Sequence, residues 1–225
     1  MKLETLTALL IFARYPRLGR VKTRLAPVLD HQQRLELYES FLMDTLERTA
    51  GLSETRFLYL ADCSKNERDE FIARHRLAGS ICVRLQQGED LGDRLWQAYQ
   101  EMASRRQRVI FIGSDSPTLP LDYVREGLKA LKTIPVVLGP GHDGGYYLIG
   151  LSEPRRELFY GIDWGSSAVL NQTLAKLEQH EFRLLPPWYD VDVPADLRLL
   201  EHQLEENFEG YPHRTAALLR QSKHL

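Results

Sequence analysis

The feature that most restricts the fold of this chain is a rhythm. Short unbroken runs of Val, Ile and Leu alternate with longer stretches whose apolar residues recur every three or four positions. Strands are predicted at Leu6–Phe12, Arg56–Leu60, Ile81–Leu85, Val109–Ile112, Val136–Leu138 and Tyr146–Leu151. Several are apolar at consecutive positions, as expected when both faces of a strand are covered. Between them, Leu35, Tyr38, Leu42 and Leu46 or Thr45 mark one face of a helix that Gly51 could stop. Leu91, Leu95, Tyr99 and Met102 repeat the pattern, as do "LDYVREGLKALK" and "SSAVLNQTLAKLEQH". The alternation predicts an α/β fold around a mainly parallel sheet. No repeat, low-complexity tract or linker interrupts it, so the 225 residues read as one domain, 1–225.

Charge narrows the function. Lys and Arg total 29 against 31 Asp and Glu, a net of -2. A chain so balanced does not coat nucleic acid over its whole surface. Yet Arg14, Arg17, Arg20, Lys22 and Arg24 crowd one early loop with no acid before Asp30. Cys63 and Cys82 lack metal-ligand spacing and read as buried or indifferent thiols in a reducing compartment. The first apolar stretch is too short to span a bilayer. Glu4 and the missing small-residue cleavage site argue against a secretory signal, so a cytoplasmic location is expected.

Open α/β sheets bind ligands beyond the carboxyl ends of their strands. The loop after Phe12 combines Gly19, the five cations and an expected helix start near Lys22 or Thr23, an arrangement that suits phosphate oxygens. It could equally be a solvated cationic turn, and "GRVKTR" is not a Walker pattern. In "RVIFIGSDSPTLP", Asp115 lies three residues past a strand, with Pro117 ending ladder pairing. A carboxylate there could hold Mg²⁺ or Mn²⁺ beside ligand phosphates, or cap a turn.

"LGPGHDGGYYLIGL" offers Gly144 and Gly145 for close ligand approach, but Asp-Gly between apolar runs is also a hairpin signal. His142 there could donate to a ligand. "YDVDVPADL" supplies Asp190, Asp192 and Asp196. Pro194 marks a helix start, so Asp192 is a cap or a second metal carboxylate. In "QQGEDLGDRL", Gly88 and Arg94 either line a nucleotide or phosphate pocket or form a capped helix entrance.

Together "FARYPRLGRVKTRLAP", "LGDRL", "FIGSDSPTLP", "LGPGHDGGYYLIGL", "IDWGSSAV" and "DVDVPADL" resemble a bacterial family of small glycosyltransferase-A-like (GT-A) proteins. Some of its members are assigned to arsenosugar biosynthesis. The resemblance runs from Phe12 to Leu197. It implies a Rossmann-like nucleotide-diphospho-sugar transferase fold with a mixed, mostly parallel sheet and helices on both faces. The wider superfamily includes the guanylyltransferases of phospholactate and the molybdenum cofactor. By this resemblance Asp115 and Asp192 are the metal carboxylates and Asp196 a helix cap. Lys22 and Arg24 contact phosphate, and Gly144, Gly145 and Tyr146 lie near the sugar or acceptor. Two departures stand out: Arg14 replaces a lysine, and Trp164–Ser167 replaces a Trp-Ser-Thr triplet.

The expected activity is metal-dependent glycosyl transfer from a nucleoside diphosphosugar to a small acceptor. Lys22, Arg24 and Asp115 would be catalytic, with Asp143 as acceptor-positioning group or base. Arg14 and Gly19 join the nucleotide-binding set. Two alternatives remain: nucleotidyl transfer from a nucleoside triphosphate, and a non-catalytic nucleotide-binding regulator. "YPHRTAALLRQSKHL" reads as a last helix that covers the domain or joins a second copy.

Overall fold

The computed structural model describes residues 7–53, 55–103, 108–206, 208 and 210–222. The expected strand residue Leu6, the signal-peptide argument from Glu4 and the last residues of the C-terminal segment lie outside these. Seven strands form one sheet in the order β3-β2-β1-β4-β6-β5-β7. β1 (Thr7–Arg14) pairs in parallel with β2 (Thr55–Ala61) and β4 (Arg108–Ile112), and β2 with β3 (Cys82–Leu85). β6 (Tyr146–Leu151) is antiparallel to both β4 and β5 (Val136–Pro140), and β7 (Phe182–Leu184) runs parallel to β5. This is the mixed, mostly parallel sheet expected.

The helices fall on both faces. Leu9, Ile11, Leu58, Ile110 and Val137 turn one way, against α1 (His31–Arg48), α2 (Lys65–Arg74) and α4 (Leu121–Ala130). Ala8, Leu10, Phe57, Val109 and Val136 turn the other way, against α3 (Leu91–Ala103). The period of two within each strand thus separates two cores, as it must when both faces are covered. α5 is Val169–Leu174, α6 Pro194–Gln203 and α7 His213–Ser222. A third cluster joins Leu37 and Phe41 of α1 to Leu200 of α6 and Leu219 of α7, so the last helix covers the domain.

Local chemistry sets the boundaries. Asp30 caps α1 by accepting from Gln33 N at 2.9 Å, and Gln33 Oε1 accepts from Asp30 N in return. Ser64 and Glu67 do the same for α2. Three expectations change. No α-helix starts at Lys22; Thr23–Leu25 is one 3₁₀ turn, because Pro27 cannot supply the N–H that a continued helix needs. α1 stops at Arg48, before Gly51. The helix expected through His180 ends at Leu174, where the N–H groups of Lys176 and Leu177 turn to the carbonyls three residues back. Cys82 is exposed, while Cys63 is half-buried and packs against the first core. Among the described residues no helix is long and apolar enough to cross a membrane.

Candidate active site at the carboxyl edge of the sheet

From β1 the chain moves outward to β2 and β3, then returns with β4 on the other side of β1. The carboxyl ends of β1 and β4 therefore flank the topological switch point, where such sheets open a crevice. Three loops meet there. The loop after β1 turns at Gly19, Arg20 N donating to Arg17 O, and is anchored by the fully buried Leu25. Between them Lys22 adopts a left-handed backbone (φ 46°) that side-chain-bearing residues rarely take. Strain of that kind concentrates at functional sites.

Lys22 is the centre of the arrangement. Its side chain is 3% exposed and its ammonium forms ion pairs with Asp115 and, at 3.0 Å, with Asp192 Oδ1. Burial favours the neutral amine, but the two carboxylates outweigh it and hold the Lys22 pKa above the usual lysine range. The Phe41 ring lies 5.5 Å away. Tyr38 of α1 ties the cluster to the sheet, accepting from Arg14 N at 2.8 Å and donating to Arg14 O at 3.1 Å. Burial, reinforced by Asp115, keeps its phenol protonated.

The two acid loops are bonded together: Val191 N donates to Asp115 O at 2.9 Å. Asp196 Oδ2 accepts from Asp192 N at 3.0 Å and from Val193 N at 2.9 Å. Asp196 is thus the capping residue that the resemblance implied; Asp192, the cap that spacing offered, instead keeps its carboxylate for Lys22 and for Arg24, 3.7 Å away. Asp190 accepts from the Ser116 hydroxyl; burial, then the Asp115 charge, push its pKa up to about 6. That carboxyl was one of three candidates in "YDVDVPADL", but its burial left no mark in the sequence.

Two adjoining cavities share Arg14 and Asp115. One, of about 320 Å³, is lined by Arg14, Arg20, Lys22, Arg24, Asp115 and Asp192. The other, of about 470 Å³, is lined by Phe12, Leu95, Tyr146 and Trp164 together with Gln86 and Arg94. Gln86 is a polar group that sequence reading missed. Its amide nitrogen donates to Ala13 O at 3.2 Å and to Tyr59 O at 3.0 Å, which fixes the orientation of the amide. Position after β3 was the only available signal.

The remaining candidates are distributed unevenly. Arg17 turns away to Glu67 at 2.6 Å. Arg14 is mostly exposed, 3.8 Å from Asp62. Arg94 Nε donates to Gly88 O at 3.2 Å, and Gly88 abuts the start of α3. Gly19 sits beside His31. In the β5–β6 hairpin, Asp143 Oδ1 accepts from Gly145 N at 2.9 Å. Gly144 (φ +88°) is pressed so close to Ser167 that an added Cβ would lie 2.2 Å from its carbonyl oxygen. The Tyr146 ring packs edge-on against Trp164, and burial raises its phenol pKa. His142 N donates to Trp188 O at 3.0 Å, and its ring stacks beside Tyr189. Among the described residues, no group of three or more His, Cys, Asp or Glu side chains is placed to hold a metal by itself.

Comparison with solved structures gives a relative from Desulfovibrio desulfuricans G20, described provisionally as a nucleotide-diphospho-sugar transferase. It is 33% identical, with a TM-score of 0.89 over 98% of this chain and 96% of that one. A nucleotidyl transferase from Methanothermobacter thermautotroptrophicus is 16% identical, with a TM-score of 0.60 over 89% of this chain and 99% of that one. Rv0371c from Mycobacterium tuberculosis H37Rv, solved in complex with manganese, is 18% identical, with a TM-score of 0.54 over 87% and 98%. The last two share the fold of this chain, that of the nucleotide-diphospho-sugar and nucleotidyltransferase superfamily. No curated protein sequence matches. The family model described as "Uncharacterized protein conserved in bacteria (DUF2064)" matches residues 47–166. With more than half its length matched by that model, and a solved relative 33% identical over nearly the whole chain, the protein belongs to this bacterial family.

Proposed function

We propose that the protein is a glycosyltransferase that uses a nucleoside diphosphosugar and passes the sugar to a small acceptor. The observation that carries this is the Lys22–Asp115–Asp192 cluster, set in a cationic cavity beside a base-sized, partly aromatic one. The nucleoside would occupy the 470 Å³ cavity, with its diphosphate against Arg20, Lys22 and Arg24. The described relative from Desulfovibrio supports the donor class.

The donor set also suits Mg²⁺ or Mn²⁺. Asp115 and Asp192 are hard oxygen donors whose side chains are 40% and 43% exposed, and they already hold one cation, the Lys22 ammonium, between them. Such metals commonly take one or two carboxylates and complete their shell with phosphate and water. A bound metal would neutralise charge on the diphosphate. The manganese complex of Rv0371c agrees with this reading. Lys22 and Arg24 would stabilise the leaving nucleoside diphosphate. Donors preorganised for charge that develops in the transition state typically contribute about 3–4 kcal/mol each. Asp143, one of whose oxygens accepts from Gly145 N, would orient the hydroxyl of a small-molecule acceptor.

A second reading, nucleotidyl transfer with pyrophosphate release, is favoured by the cation count. The cavity is lined by four cations, Arg14, Arg20, Lys22 and Arg24, against two acids, Asp115 and Asp192, an excess that would match a metal-bound triphosphate. A thermal-shift panel separates the two: nucleoside triphosphates and diphosphosugars of each base, with and without Mn²⁺, on wild type and Asp115→Asn. Ligand at a hundred times its Kd should stabilise by about 2.7 kcal/mol. A metal-dependent shift with one diphosphosugar, lost in the variant, supports glycosyl transfer. A shift with one triphosphate alone replaces it with nucleotidyl transfer. No shift with any of them rejects both.

A further inference from the structure

We infer that Lys22 competes with the divalent cation for Asp115 and Asp192, so that the nucleotide-free protein resists metal and loads it only as Lys22 leaves. The inference rests on the proposed metal role of this carboxylate pair. Its basis is occupancy. The Lys22 ammonium contacts an oxygen of each carboxylate and is almost wholly shielded, while the carboxylates themselves are open to solvent. A divalent ion held by the same carboxylates would have a monovalent cation as its neighbour, and burial of the Lys22 side chain leaves that ammonium little solvent to screen the repulsion. Both cannot be held at once at full strength.

The surroundings provide somewhere for the ammonium to go. Lys22 is a point charge on a flexible stem. The 320 Å³ cavity beside it is lined by Arg14, Arg20 and Arg24 and suits an anion. Without an anion, that cavity is a cationic region that gives the ammonium nothing to gain by leaving Asp115 and Asp192. Phosphate oxygens placed there would attract Lys22 and release the carboxylates together. Anion and metal would then promote each other's binding, and by linkage the promotion is reciprocal. The other basic side chain near the pair, Arg24, stands 3.7 Å from Asp192 and is mostly exposed, so it does not substitute for Lys22 as the resident cation.

The test is Mn²⁺ binding to nucleotide-free protein, followed by electron paramagnetic resonance of the free ion. Lys22→Met should bind Mn²⁺ at least tenfold more tightly than wild type, and adding Asp115→Asn to it should remove the gain. Arg17→Met, which lies away from the pair, should match wild type. Because Lys22→Met leaves two adjacent carboxylates uncompensated and could fail to fold, a second measurement uses wild type alone. Acylation of the Lys22 amine, followed by mass spectrometry, should be slow without metal and several-fold faster as Mn²⁺ is raised to millimolar levels. A folded Lys22→Met with unchanged or weaker Mn²⁺ affinity overturns the inference, as does Lys22 labelling that ignores Mn²⁺. Neither readout involves a nucleotide, so a donor panel that fails leaves this result intact, and the reverse also holds.

Discussion

The loop after β4 and the turn of the β5–β6 hairpin look alike in sequence. Each places an aspartate among small residues just past an apolar strand: "GSDSP" and "GHDGG". In the folded protein they differ in where the carboxylate finds its partner. Asp143 is satisfied locally, by the amide of Gly145 two residues on. Asp115 meets Lys22 from a different loop, and its carbonyl receives Val191 N from a third. An aspartate satisfied within its own turn builds architecture. One held against a distant cation at a strand end is available for chemistry, since a ligand can exchange with that partner without undoing the turn.

The largest effects should follow that division. Asp115→Asn keeps the shape but removes the charge shared with Lys22. Turnover of the donor found by the binding panel should fall about 10²–10³-fold. Asp143→Asn retains an oxygen for the Gly145 amide and should lower kcat about tenfold or less. Side-by-side initial rates decide it. A fall at Asp143 as deep as that at Asp115 would make Asp143 the base and erase the distinction between the two loops.

Stability should show the reverse preference. Gly144→Ala puts a Cβ against the Ser167 carbonyl at a left-handed backbone position, and should cost about 3 kcal/mol in urea unfolding. Gly165→Ala, also at φ +88° but with open space around it, should cost only about 1 kcal/mol. Equal losses would mean that the hairpin is not pinned to the 163–168 loop as the structure has it.

The sequence made the frame legible because the frame is local. Tyr146–Leu151 is a strand over the expected residues, since an unbroken apolar run needs no distant partner to be read. Spacing alone offered Asp192 as the cap of α6; only the family resemblance pointed to Asp196, whose carboxylate accepts from the amides of Asp192 and Val193 within one helical turn. β7 was missed because Phe182–Leu184 is three residues long with Arg183 in the middle, and it exists only by pairing with β5. Lys22 was marked as a phosphate contact, yet its burial between two acids was invisible, since the Asp192 bond spans 170 positions. The burial of Asp190 and the part played by Gln86 escaped for the same reason: both are set by the loops and strands they meet across the fold.

Asp190 tests the electrostatics of the acid loops. Its pKa is raised from 3.8 to about 6, by burial and then by Asp115. The folded state therefore holds the proton more tightly than the unfolded chain. Its contribution to stability is full at pH values below the unfolded pKa and is lost as pH rises through about 6. Across that window wild type should lose on the order of 1–3 kcal/mol relative to Asp190→Asn, with the difference constant above it. Urea midpoints of both proteins from pH 4 to 8 measure this. A difference that does not change with pH would show that Asp190 ionises freely. Asp115→Asn should shrink the effect, because the second cause of the raised pKa is gone.

The smallest effect is expected where the same cationic loop faces away from the crevice. Arg17 pairs with Glu67, and both side chains are partly open to water. Such pairs contribute about 0–1 kcal/mol and weaken with salt. Arg17→Ala should therefore lower stability by about 0.5 kcal/mol at low ionic strength, less at 0.5 M salt, with nucleotide affinity unchanged. Arg24, two positions past Lys22 and 3.7 Å from Asp192, should behave otherwise. Arg24→Ala should leave the fold intact and weaken nucleotide binding about tenfold, the loss expected for one charge-assisted phosphate contact. If the two variants weaken binding equally, the loop acts as a diffuse cationic field, and the division of its arginines between surface pairing and phosphate contact fails.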